Sequence, residues 1–305
     1  MTTQRSSDPH QLASAAVVVG VDGSEASDLA VRWAAETAAQ RGRRLHIVHG
    51  LDLAVARAVL GVYDLMVPAV IDTIRRQGAD HVATARRLAY DVDQGLTVET
   101  EVCEDHPAKL LIERSAAANL VVIGASGEGG TISHLGGTLL AVVSHGHGPV
   151  VVVRDTGTEY QTRCVGRVVV GVDGSEISEA AVGAAFAEAS DRRAQLVAVY
   201  AWSDLPYGRF AGLPNTIPDR GVAAEAQSIL AEQLAGWQEK YPDVDVMRKA
   251  YLSGPRHHLI EWSRSAQLLV VGSRGRGGFR GQLLGSTGNA LIQRAHCPVM
   301  VVHSP

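Results

Sequence analysis

Two glycine-rich stretches hold the residue types best suited to chemistry. Gly272-Ser273-Arg274-Gly275 is followed by nine residues and then Gly285-Ser286; Gly124-Ala125-Ser126-Gly127 is followed by nine residues and then Gly137-Thr138. Glycine lets a backbone approach a ligand closely and take positive φ, and successive free N–H groups form a concave anion site. A helix beginning at the Gly-Ser or Gly-Thr step adds its unpaired N–H groups and the positive end of its dipole. Ser286 or Thr138 adds a hydroxyl. This is the chemistry of a phosphate cradle built without lysine. The lysines are Lys109, Lys240 and Lys249, none of them in a glycine-rich stretch, so a lysine-bearing phosphate loop is excluded. A single loop of this kind reads equally well as a turn between a strand and a helix. The same spacing in two places favours the ligand.

Carboxylates form the second constellation. Gly20-Val21-Asp22 and Gly171-Val172-Asp173 each end a β-branched run. An aspartate at a strand tip can accept hydrogen bonds from a ribose hydroxyl or an adenine amine; Asp22 and Ser24 are also good helix caps. The favoured reading gives the aspartate to the ligand and the serine to the cap. The histidines read more plainly. His145 and His147 would face different sides of a short helix, and His257-His258 would begin a helix, capping or solvating it; no metal site is expected. Trp33, Trp202, Trp237 and Trp262 read as core or groove packing.

A repeated α/β unit must position these residues. Val17–Ser27 and Val168–Ser178 match at ten of eleven positions, 151 residues apart. VVIGASGEGG pairs with VVGSRGRGG and HGHGPVVVV with RAHCPVMVV, in the same order and at nearly the same offset, so a whole domain is duplicated. The first copy reads as a strand at Ala16–Val21, a helix at Glu25–Gln40 and a strand at Leu45–His49. A long loop and a helix to about Asp93 follow, the stretch Asp52 to Pro68 being apolar enough to be partly helical. Then come a strand at Thr97–Cys103, a helix opened by Pro107, a strand at Leu120–Ile123, a short helix from Gly137 and a strand at Val150–Val153. The second copy repeats this order, with a loop-like excursion from Asp204 to Asp219. Alternating strands and helices with continuous Val/Ile runs predict two tandem doubly wound α/β domains, each a five-stranded parallel sheet with helices on both faces. Ligands then bind beyond the carboxyl ends of the strands, at the switch point, where both constellations fall. The expected boundaries are a disordered tail at 1–14, domain 1 at 15–154, a polar linker at 155–165 and domain 2 at 166–305.

Composition narrows the classes. The chain has 305 residues, 46% hydrophobic and 20% charged, with a net charge of −4; length suggests two domains, and the charge argues against nucleic acid as a partner. Cys103, Cys164 and Cys297 are too far apart for a redox or metal motif, which fits a reduced, cytoplasmic setting. The first residues show no apolar signal core, and no apolar run is long enough to span a membrane.

The opening VVVGVDGSEAS, the pattern G-2x-G-9x-G-[S/T] and the closing H-x-P-V-x-V-V resemble the universal stress protein family, in its tandem two-domain, ATP-binding form similar to that of mycobacteria. The resemblance covers all but the tail and linker. It implies a Rossmann-like fold of the adenine nucleotide α-hydrolase type, ATP in each half and pairing of the halves through their last strands as an internal pseudo-dimer, with a homodimer as a further option. Carried over, the phosphate contacts are Gly124, Gly127, Gly130, Gly137 and Thr138, and Gly272, Gly275, Gly278, Gly285 and Ser286. The adenosine end meets Asp22 and Gly50 in one half, and Asp173 and Ala201, with Asp204 nearby, in the other. Gly20, Gly129, His134, Gly171, Ser273, Arg274, Arg276, Gly277 and Thr287 complete the candidate set. Arg274, Arg276 and Arg280 in the second loop, against Ser126 and Glu128 in the first, predict tighter nucleotide binding in the second half. The family's second serine, three residues after the last glycine, is here Leu140 and Gly288.

The expected function is a nucleotide-dependent regulatory or stress-response protein with unknown protein partners and no catalytic residues. A slow ATPase or phosphotransferase is the alternative, with Mg²⁺ as the companion ion and Asp204 or Glu128 as ligand or base. A third reading is an interaction protein with vestigial sites.

Overall fold

The computed structural model describes residues 15–60, 67–125, 136–155, 166–203, 220–275 and 284–303. The chain divides into two compact units, Met1–Asp155 and Thr156–Pro305. In the first unit, β1 (Val17–Gly20), α1 (Glu25–Gln40), β2 (Leu45–Gly50), α2 (Leu53–Leu60), α3 (Val67–Val92), β3 (Val98–Cys103), α4 (Pro107–Ser115), β4 (Leu120–Ala125), α5 (Gly137–His145) and β5 (Val150–Arg154) follow in order. The second contains β6 (Arg167–Val172), α6 (Glu176–Asp191), β7 (Leu196–Ser203), α7 (Arg220–Lys240), β8 (Val246–Ser253), α8 (Pro255–Ser263), β9 (Ala266–Gly272), α9 (Ser286–Arg294) and β10 (Val299–Val302).

The first unit's strands lie in the order β3-β2-β1-β4-β5 and the second's in the order β8-β7-β6-β9-β10. Within each unit every strand pairing is parallel, with Val17 opposite Leu45 and Leu120, and Val168 opposite Leu196 and Leu268. The valines of β1 and β6 are almost wholly buried, as continuous β-branched strands covered on both faces should be. Helices supply the cover in pairs: α1 with α3 and α4 with α5 in the first unit, α6 with α7 and α8 with α9 in the second. One edge strand of each unit is marked by charge, Glu99 and Glu101 on β3 and Arg248 and Lys249 on β8, which discourages further strand addition.

Local chemistry fixes the helix starts. Ser24 and Ser175 cap α1 and α6, accepting from the N–H of Ser27 and Ser178 at 3.2 Å. The glycine between each aspartate and its serine, Gly23 or Gly174, has φ of 81°, a left-handed turn that favours glycine. Pro107 opens α4 as expected, with His106 Nδ1 accepting from the N–H of Ala108 at 3.1 Å.

Some expectations change. The stretch after β2, expected to be partly helical, holds helix α2, with residues 61–66 outside the described set. His147 lies beyond α5, which ends at His145 with Gly146 as its C-cap, so the two histidines do not share a helix. His258 does not cap α8, whose N-cap is Gly254; its ring stacks on Tyr251 at 3.6 Å. Burial, followed by neighbouring His257, pushes the His258 pKa below its ordinary value. Trp33 is core, and Trp262 Nε1 donates to the Tyr251 hydroxyl at 3.0 Å. The Trp202 side chain, Cys164, residues 1–14, the linker 156–165 and the excursion 204–219 lie outside the description.

Candidate functional site

Each unit has one pocket at the carboxyl ends of its strands, at the switch point between β1 and β4 or between β6 and β9. In the first, the structure brings together Gly20, Asp22, Gly50, Gly124, Gly137 and Thr138. In the second it brings together Gly171, Asp173, Ala201, Gly272, Arg274, Gly275, Gly285, Ser286 and Thr287. Ser273 stands behind the second pocket: it is buried, its N–H donates to the Val302 carbonyl, and its carbonyl accepts from the N–H of Gly285 at 2.8 Å. Gly127, Gly129, Gly130, His134, Asp204, Arg276, Gly277 and Gly278 lie outside the described residues, as do Ser126, Glu128 and Arg280.

The helix ends separate the two chemistries that the sequence left entangled. α1 and α6 begin under serine caps. α5 and α9 instead begin at Gly136 and Gly285, with no side-chain cap. Their first N–H groups therefore lack the side-chain acceptor that a capped helix has, and they face the pocket. Among the described residues a side chain on Gly136 or Gly137 would meet nothing within 4 Å, so that end is open to an anion, which it favours.

Asp22 is fixed rather than free. Its Oδ1 accepts from the Ser24 N–H at 3.0 Å and the Ser24 hydroxyl at 2.6 Å. Burial acts to raise its pKa, but the Ser24 hydroxyl and N–H, with the Ser27 hydroxyl and the backbone, outweigh it and hold the carboxyl below the ordinary value. It is thus a charged acceptor aimed from the strand tip. Asp173 is held similarly, its Oδ1 accepting from the Ser175 N–H at 2.9 Å. Ser178 Oγ accepts from the Asp173 N–H at 3.0 Å.

The glycines divide by role. A Cβ on Gly124 would run into the carbonyl group of Ala26 in the first turn of α1, and one on Gly50 would lie 2.8 Å from Pro107. Both glycines permit close helix–strand packing while they line the pocket. A Cβ on Gly275 would strike the Asp173 carboxylate.

Several lining residues were not found in the sequence. His49 forms part of the first pocket; its Nδ1 lies 2.6 Å from the Val21 carbonyl oxygen, so that nitrogen carries the proton. Pro107, Leu110 and Leu111 of α4, and Pro255 and Leu259 of α8, form an apolar side. The i, i+3, i+4 spacing of these residues was the available signal. Among the described residues no cluster of three or more His, Cys, Asp and Glu could hold a metal ion, and no helix is long and apolar enough to cross a membrane.

Two doubly wound domains, each with an aspartate and an uncapped helix start at the pocket of its switch point, define a tandem α/β protein. The universal stress protein family model matches residues 15–154 and 165–303, and the chain belongs to that family. It is 40% identical over 296 residues to a universal stress protein of Mycobacterium tuberculosis, covering 93% of this chain and 96% of the relative. A universal stress protein of Mycolicibacterium smegmatis is 39% identical over 298 residues, covering 94% and 96%. A solved universal stress protein from Archaeoglobus fulgidus shares the fold, with a TM-score of 0.67, 18% identity, and coverage of 94% of this chain and 98% of that one.

Proposed function

We propose that each unit binds an adenine nucleotide, ATP first among them, and that the chain acts as a nucleotide-dependent regulatory protein of the stress response. The uncapped starts of α5 and α9, facing pockets that also hold a fixed aspartate, carry this reading. The residues fit the ligand: free N–H groups for phosphate, a hydroxyl from Thr138 or Ser286, a carboxylate acceptor for the ribose or adenine end, and an apolar side from α4 or α8 for the base. Family membership supports it. The second site is the tighter one in this reading, because Arg274 lines it where the motif of the first unit has Ser126.

The test is the nucleotide released on denaturing freshly purified protein, compared between the wild type and Gly137→Glu. A glutamate there places a carboxylate in open space before α5 and repels phosphate without crowding the fold. The expected result is ATP from the wild type and loss of the first unit's share in the variant. A wild type that carries no nucleotide and binds none when ATP is added would overturn the proposal.

A further inference from the structure

The rim of the second pocket carries a cation that neither the glycine pattern nor the aspartate explains. α8 begins after Gly254, whose φ is 76°, and its first residue, Pro255, lines the pocket. Its second residue, Arg256, is exposed, and Nη2 donates to Ser286 Oγ at 2.8 Å. Ser286 is the first residue of α9, the hydroxyl that the nucleotide reading assigns to phosphate. Among the described residues Ser286 is the sole hydrogen-bond partner of Arg256, and no carboxylate pairs with it. A guanidinium carries five N–H donors in a planar fork. One of them holds the group against Ser286, and the others remain for a ligand.

The first unit has no equivalent. After Pro107 comes Ala108, which is buried. The next residue, Lys109, has its charge matched: Nζ lies 2.9 Å from Asp105 Oδ1 and 3.9 Å from Glu113 Oε1.

We propose that Arg256 is a phosphate-binding residue of the second site and makes that site select the triphosphate over the monophosphate. The inference rests on the nucleotide reading above. Asp173 at the tip of β6 is a fixed acceptor that repels phosphate, so the anionic end of a nucleotide runs toward α9, where Arg256 waits at the rim. Each added phosphate brings more charge into reach of the guanidinium. The first site, with Ala108 at that position, discriminates less by phosphate number.

The experiment uses the full chain carrying Gly137→Glu, so that the second site is read alone. ATP and AMP are titrated calorimetrically into this protein and into the same protein with Arg256→Gln or Arg256→Lys. The expected result is about a tenfold loss for ATP with Arg256→Gln, a much smaller loss for AMP, and a weaker dependence of ATP binding on salt. Arg256→Lys keeps the charge and restores part of the loss. An unchanged ratio of ATP to AMP affinity, or equal losses for both, overturns the role of Arg256 while ATP binding itself upholds the nucleotide reading. If neither nucleotide binds either unit of the wild-type chain, both fall.

Discussion

Gly124→Ala tests whether the first motif glycine serves the ligand or the fold. The added methyl would run into the Ala26 carbonyl group and lie 2.8 Å from the Ser27 nitrogen. These are backbone atoms in the first turn of α1. That turn cannot swing away readily, because Ser24 caps it and the helix packs on β1, β4 and β5. Overpacking against backbone costs about 1–3 kcal/mol. For a unit of this size each kcal/mol lowers the melting temperature by about 3–4 °C, so a fall of about 3–12 °C is expected. The assay is thermal unfolding of the full chain without nucleotide, reading the transition of the first unit, since a chain of two units need not unfold in one step. Gly137→Ala is the control, because among the described residues its methyl meets nothing within 4 Å. In the second unit a methyl on Gly272 would meet the Ile177 Cγ2 atom at 2.8 Å. The nearest atom there is on a side chain and the nearest backbone atom, the Arg274 carbonyl oxygen, lies 3.1 Å away, so Gly272→Ala should cost less. Unaltered unfolding of Gly124→Ala together with lost nucleotide binding would refute the packing argument and return this glycine to the ligand.

Two further outcomes follow from the hydrogen bonds. Ser24→Ala removes the α1 cap and the hydroxyl bonded to Asp22; it should cost about 1 kcal/mol and move the Asp22 titration upward, followed by carboxyl NMR. Glu101 accepts from Arg114 Nε at 2.9 Å and Nη2 at 2.5 Å, and these bonds, outweighing burial, hold its pKa below the ordinary 4.5. Because the folded-state pKa is the lower one, the stabilisation is present above pH 4.5 and is lost as pH falls through the folded value. Denaturant midpoints of Glu101→Gln should therefore lie below those of the wild type near neutrality and converge with them in that acid window.

What could be read from the residues was whatever repeats or is local. The bounds of α1, Glu25–Gln40, were legible because a serine cap and an alanine-rich amphipathic run define them, and the strands because buried parallel strands are continuous Val/Ile runs. The division of residues 53–92 into α2 and α3 was read only as a partly helical stretch, although Gly61 just after α2 and Pro68 in the first turn of α3 are local signals for it. Leu111 and Arg256 were missed because they stand on helices that reach the pocket from elsewhere in the chain, whereas His49 sits on β2 beside the predicted Gly50 and could have been placed from that strand tip.

That separation bears on how duplicated sites diverge. On the proposed reading the glycine pattern of each unit sets where a phosphate would lie, because it places the uncapped helix start. The residues at the rim come from α4 or α8, some distance before β4 or β9. They can change without disturbing that geometry, and here Ala108 stands in one unit where Arg256 stands in the other. The single mismatch in the eleven-residue opening repeat, Ala26 against Ile177, falls instead at the contact with Gly124 or Gly272. It alters how a helix seats on its strand. A repeated motif can thus mark two pockets as equivalent in position while the rim residues outside it differ in charge, which on the proposed reading is what separates the two sites.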